Sequence, residues 1–218
     1  YAALANPRPS TVLELQKQLK ANEALVLFLD TGEFKPTPEE NIIWVVTKKA
    51  SRWVRSDLGS KALNDHDDAI SCGLDDEGAW NGSRCFDLLG VGHDASSDEP
   101  LPFRLTRAHD PYRALFGNIE DLIKGKDLLI VPSGPLTQLP FQVLVTKKPE
   151  TDELTRQAFT KASWLAKHHA ITVLPSVSSL AALRAHAKTS KAPQPFVGFG
   201  NPLLDGDAES AKLARSIK

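Results

Sequence analysis

Three short apolar runs in the second half of the chain, each stopped by a proline or a glycine, narrow the fold more than any other feature. They are Asp127 to Val131 before Pro132, Ala170 to Leu174 before Pro175, and Phe196 to Phe199 before Gly200. Runs of this length, bounded by turn residues, read as buried strands. Between the second and third, Ser176 stands where a helix N-cap would, and Leu180 and Leu183 follow on its inner side. Strand, helix, strand at this spacing predicts a parallel βαβ unit with a right-handed crossover. The three runs are therefore expected in one sheet as neighbours, at least two of them parallel. In open α/β sheets, sites gather at the carboxyl ends of such strands.

The first half has a different rhythm. Thr11 and Glu14 form a capping-box pattern, and Val12, Leu15 and Leu19 then fall on one helical face. Ala24 to Leu29 is a continuous apolar strand. Gly32, Pro36 and Pro38 make the stretch from Asp30 to Asn41 a loop. Ile42 to Val46 and Ser51 to Val54, joined through Lys48 and Lys49, read as a hairpin. Ser60 can cap a helix that faces inward through Leu63, Ile70 and Leu74, and Arg84 to Leu89 can form a short one. Asp110 followed by Pro111 predicts a helix start, with Leu115, Ile119 and Leu122 on its face and Gly125 at its end. The charged run from Lys147 to Ala162 is expected to be a mobile loop.

Composition bounds the function. A chain of 218 residues, 41% hydrophobic and 24% charged, can bury a core without staples. Its net charge of −1 offers no basic field for nucleic acid or an anionic membrane. No apolar run approaches the roughly 20 residues that cross a bilayer. The chain opens at Tyr1 and contains no methionine. It therefore reads as an excised or processed piece, which leaves cytoplasm and periplasm both open.

Chemistry-bearing residues are sparse. Cys72 and Cys85 lie 13 positions apart, with no CxxC and no histidine at zinc spacing. The plainest reading is two small buried thiols, with a disulfide across this short loop as the alternative and a nucleophile as the least supported. Gly198 and Gly200 lack the third glycine or the GK[ST] of a phosphate loop. Ser133 and Gly134 follow a strand, but Pro132 and Pro135 replace the G-x-S-x-G of a nucleophile elbow. His168 and His169 are adjacent and cannot share one target in regular structure; one belongs on the surface and one at the strand entrance. His109 can bond to backbone. His66, with Asp65, Asp67 and Asp68, sits on a carboxylate-rich turn that reads as a solvated face rather than a cation site. Trp44, Trp53, Trp80 and Trp164 are scattered, and core or half-buried roles suffice for them. These residues supply no catalytic, cofactor or metal site, and no cofactor is expected.

The segment from Asp127 to Phe141 carries a recognisable signature at Pro132, Gly134, Leu136, Leu139, Pro140 and Phe141. Three more matches follow in order: Trp164-Leu165, then Leu174-Pro175-Ser176 with Ser178, Ser179 and Leu180, then Gly198-Phe199-Gly200-Asn201-Pro202. In this order they resemble the CHAT domain, and the opening helix, strand and hairpin fit its beginning. Bacterial proteins in which tetratricopeptide-like helical repeats precede such a domain are similar.

The resemblance implies a fold, an α/β caspase-like sheet with flanking helices, preceded by an α+β region with a β-hairpin. Residues 1–109 would be that N-terminal part and residues 110–218 the first part of the caspase-like core. It also implies kinship with caspases and separase, cysteine peptidases whose His-Gly and Cys close successive strands. In the family both follow the Gly-Asn-Pro segment. None of His66, His93, His109, His168, His169 or His186 is followed by glycine, and neither Cys72 nor Cys85 ends an apolar strand. The dyad is thus expected downstream of Lys218, leaving this chain inactive alone. The expected partners are the downstream half of the same domain, upstream helical repeats and a protein substrate, with a dimer through an open sheet edge as a further option. The competing reading is a non-catalytic interaction module on the same scaffold. Without the family, the signature still makes physical sense. The prolines stiffen a turn, Gly134 supplies a backbone angle other residues resist, and Leu136, Leu139 and Phe141 fold back as an apolar clamp.

Overall fold

A computed structural model describes residues 9–56, 58–74, 83–92, 101–152 and 154–186. The described residues up to Ala185 belong to one compact unit. The run 196–199 lies outside the described residues.

The architecture is mixed α/β. Five described strands form one sheet: β1 (Glu23–Thr31), β2 (Glu40–Thr47), β3 (Ser51–Ser56), β4 (Asp127–Val131) and β5 (Ile171–Val173), in the order β3-β2-β1-β4-β5. The β2–β3 hairpin is antiparallel, as its charged turn predicts. β1 pairs antiparallel with β2 and parallel with β4, and β4 pairs parallel with β5. Two of the three runs expected to be neighbours are therefore adjacent and parallel. β1 has partners on both sides and cover on both faces, which is why Ala24 to Leu29 is an apolar run without alternation.

Helix α1 (Val12–Gln18) begins with the anticipated capping box. The Glu14 amide donates to Thr11 Oγ1 at 3.2 Å, and the Thr11 amide donates to Glu14 Oε2 at 2.9 Å. Leu15 and Leu19 bury against Leu25, Val46 and Leu129 on one sheet face. α8 (Val177–His186) covers the same face through Leu180. Ser176 Oγ accepts from the Ser179 amide, as a cap should. Leu183, expected inside, is exposed, because this helix buries only a narrow stripe.

The other face carries the main core. Ala24, Val26, Phe28, Ile43, Val45, Leu128 and Ile130 meet α2 (Ser60–Leu74) and α4 (Leu105–Phe116). Leu63 and Ile70 point inward as read from sequence; Leu74 is exposed. At the centre, the Phe28 ring lies 5.6 Å from that of Phe116, edge-on, and 5.9 Å from that of Phe141, stacked. Aromatic contacts of this kind add about 0.5–1.5 kcal/mol each beyond area burial.

The helix read from Asp110 to Gly125 and the loop read over 147–162 depart from the sequence reading; the first is broken after Phe116 by a 3-10 turn, Gly117–Ile119. α4 starts at Leu105, not at Asp110, and carries Pro111 inside it. Its N-cap, Arg104, makes no side-chain cap bond. The first turn is capped instead from 46 residues away, where Asp152 accepts from the Thr106 amide at 2.9 Å and from the Thr106 hydroxyl. Leu105, Ala108, Tyr112, Leu115 and Phe116 are all buried, so apolar burial holds the helix despite the missing Pro111 N–H. The run 147–162, expected to be a mobile loop, contains α6 (Arg156–Lys161), capped by Thr155. Phe159 of that helix stacks on Trp164 at 6.4 Å. α7 (Leu165–His168) then leads into β5.

Cys72 of α2 and Cys85 of α3 (Ser83–Leu89) are joined by a disulfide, with their Cα atoms 5.7 Å apart. The reading as two free thiols is corrected: the alternative that closes the loop is the observed one. α2 and α3 pack against each other, and with Ala69 and Leu89 the bridge makes a small satellite core. No helix among the described residues is long and apolar enough to cross a membrane.

Candidate functional site

The carboxyl ends of the parallel strands β1 and β4 bring together a half-buried polar group at the edge of the core. After β4 the chain passes through Ser133, extended at φ −137°, into Gly134 at φ +52°, a left-handed conformation that favours glycine. A short 3-10 turn, Gly134–Thr137, follows. Leu136, Leu139 and Phe141 are buried on the sheet, the apolar clamp anticipated from the signature.

The turn is fastened to β1 through Asp30. The Asp30 amide donates to Ser133 Oγ at 2.8 Å, and Ser60 Oγ, at the start of α2, donates to Asp30 Oδ2 at 2.7 Å. A Cβ on residue 134 would stand 2.7 Å from that same Oδ2. Gly134 is thus needed twice, for its backbone angle and for the close approach of a carboxylate. Asn41 lies opposite both Asp30 and Ser56 in the sheet register and is fully buried. Asp30 Oδ1 and both polar atoms of the Asn41 side chain are buried without a hydrogen-bond partner among the described residues. Each such atom costs about 1–3 kcal/mol. Neither Asp30 nor Asn41 was singled out from sequence. Both sit next to strand ends that read as loop, and only the register puts them beside the signature turn. Chemically, this cluster can accept and donate hydrogen bonds around a fixed carboxylate.

The residues weighed in the sequence are dispersed. Cys72 and Cys85 are bonded to each other in the satellite core. His66 is half-buried on α2, and burial lowers its pKa. Asp65 and Asp68, read as a solvated face, both pair with Arg84: Asp65 Oδ1 lies 2.9 Å from Nη2, and Asp68 Oδ2 lies 2.7 Å from Nε. Asp67 differs from them. It is buried, and burial with the neighbouring Asp68 charge pushes its pKa up to about 6. His109 bonds to backbone as expected, with Nδ1 2.9 Å from the Val145 carbonyl. His168 is exposed and His169 meets the Lys126 carbonyl at the entrance to β4, as anticipated, yet both line one cavity. Their side chains converge because the helix ends between them. His93 and the side chain of His186 lie outside the described residues.

The tryptophans also need correction. Trp44 and Trp53 are direct cross-strand partners in the hairpin, and both are exposed, on a part of the sheet that no described helix covers. Trp164 is half-buried, and Trp80 lies outside the described residues. Among the described residues no group of three or more His, Cys, Asp and Glu side chains is placed to hold a metal ion.

A family model described as CHAT domain matches residues 107–216, just over half of the chain. The matched span contains the signature turn, β4 and β5. No curated protein matches the chain.

Proposed function

The chain belongs to the CHAT domain family, and on that premise we propose that it forms the scaffold portion of a caspase-like cysteine peptidase domain. In this reading the reacting thiol and imidazole come from residues outside it, and residues 1–109 and 110–218 are two parts of one domain. The observation that carries the reading is the Cys72–Cys85 bond. The sequence contains two cysteines and no others. A disulfide sulfur is not a nucleophile, since the attacking species is a free thiolate. The fixed turn at the carboxyl end of β4 supports the same reading, because a scaffold of this class must hold strand ends rigidly beside one another.

The bond also favours an oxidising compartment, such as the periplasm, over the cytoplasm. The test is turnover of a peptide library by residues 1–218, with and without reductant. No cleavage is expected in either state. Cleavage abolished by Cys72→Ala or Cys85→Ala would overturn the reading.

A second reading, a non-catalytic interaction module, is favoured by the exposed Trp44–Trp53 pair and by β5. The only partner of β5 among the described strands is β4. An edge of this kind offers unpaired backbone groups to a further segment of the domain or to a second copy. Light scattering separates the two readings. A stable monomer of residues 1–218 with a cooperative melt favours the module. Association that is relieved in a longer chain, one carrying a strand ending in His-Gly and another ending in Cys, favours the peptidase.

A further inference from the structure

At the amino ends of β4 and β5, opposite the signature turn, lies a cavity of about 500 Å³. Tyr112 of α4, Glu120 of α5 (Glu120–Ile123), Lys124, Lys147, His168 and His169 line it. Tyr112 is buried and gives the cavity an aromatic wall. Its hydroxyl donates to Glu120 Oε1 at 2.8 Å, which engages the only carboxylate in the lining. The two ammonium groups have no such partner: among the described residues neither Lys124 nor Lys147 makes an ion pair or a side-chain hydrogen bond. The two imidazoles are oriented. His169 Nδ1 lies 2.7 Å from the Lys126 carbonyl, so that nitrogen carries the hydrogen and Nε2 is the remaining ring atom. His168 Nε2 lies 2.7 Å from Ser163 Oγ, which fixes the second ring from the side. A second cavity of about 300 Å³, lined by Leu105, Val145 and Ala158 together with Lys148, Lys161 and Glu150, shares Lys147 with the first.

We propose that the larger cavity binds an oxyanion, the phosphate or carboxylate group of a small molecule. Two lysines against one engaged carboxylate leave a net positive charge. In a concavity with an aromatic wall, the field of that charge is focused into the space between the two lysines. Lysine ammonium groups serve as point charges for phosphate and carboxylate, and oriented imidazoles add directional bonds. The neighbouring cavity, with three lysines against the one carboxylate of Glu150 in its lining, accommodates the body of the anion beyond Lys147. The site is independent of the signature turn and of the peptidase reading.

The test is calorimetric titration of residues 1–218 with inorganic phosphate and, separately, with acetate, at physiological ionic strength. Imidazole resonances are followed by NMR in the same titrations. Saturable binding of at least one probe is expected, with shifts at His168 and His169. Lys124→Ala and Lys147→Ala should each weaken it about tenfold, the loss of one charge-assisted contact. Lys61→Ala, on α2, should leave it unchanged. The stronger probe identifies the source of the charge. Non-saturating titrations with both probes, or binding equal in the lysine variants, would overturn the proposal. Both lysines are exposed, so the variants keep the fold, which circular dichroism checks.

Discussion

On one face of the sheet, Ala24, Val26 and Phe28 of β1 meet two helices, the signature clamp and a cluster of three phenylalanines. On the other, the helices that meet Leu25 and Leu129 among the described residues are α1 and α8, while Leu29, Trp44 and Trp53 stay exposed. The same strands feed both faces, since successive side chains alternate. The difference therefore comes from what covers them. The first face has the clamp, α2 and α4, and the hydrogen bonds of Asp30 anchor the clamp and α2 to the end of β1. The second has, among the described residues, two short helices. Stability should accordingly concentrate on the first face, and surface available to other molecules on the second.

The sharpest way to break this comparison is Phe28→Ala. The ring is fully buried among Phe116 and Phe141, and its loss should cost about 3–5 kcal/mol in urea unfolding. A loss near zero would mean that the closed face is not the stable one. Next is the satellite core behind α2. Removing the Cys72–Cys85 bond by paired serine substitution should cost about 3 kcal/mol for a loop of this length. Thermal melts of the pair variant, and of the wild type with and without reductant, read this directly.

A smaller effect tests a buried carboxylate of α2, Asp67. Asp67 titrates at about 6 in the folded chain against an ordinary 3.8. The native state keeps the proton that the unfolded chain releases. This group's contribution is therefore fully present below pH 3.8 and is lost as pH rises through about 6. Asp67→Asn should stabilise the chain by about 2 kcal/mol at pH 8 and have almost no effect at pH 3. Equal effects at both pH values would assign the gain to something other than the proton. The smallest effect belongs to the open face. Trp53 is 59% exposed, and the Arg55 guanidinium lies 5.8 Å from its ring as a cation–π partner. Trp53→Ala should change stability by no more than about 0.5 kcal/mol. A much larger loss would show that this face is covered in the folded protein.

Local signals were fully legible where the cause was local. Thr11 and Glu14 marked the start of α1, Ser176 that of α8, and the apolar runs at residues 24–29 and 127–131 marked two adjacent central strands. Gly134 announced its left-handed angle through the prolines around it. These features depend on hydrogen bonds and backbone sterics within a few residues, which the order of amino acids specifies directly. What the tertiary structure decided came from partners distant in sequence. Asp152 caps α4 from 46 residues away and so overrides the start that Asp110 and Pro111 suggested. The sheet register seats Asn41 against Asp30, and the Asp30 amide bonds to Ser133 from 103 residues away. Packing of α2 on α3 brings two cysteines within bonding distance, and the end of α7 turns two adjacent histidines toward one cavity. Contacts of this kind are settled by which surfaces bury together, and burial is a property of the assembled layers rather than of any stretch of the chain.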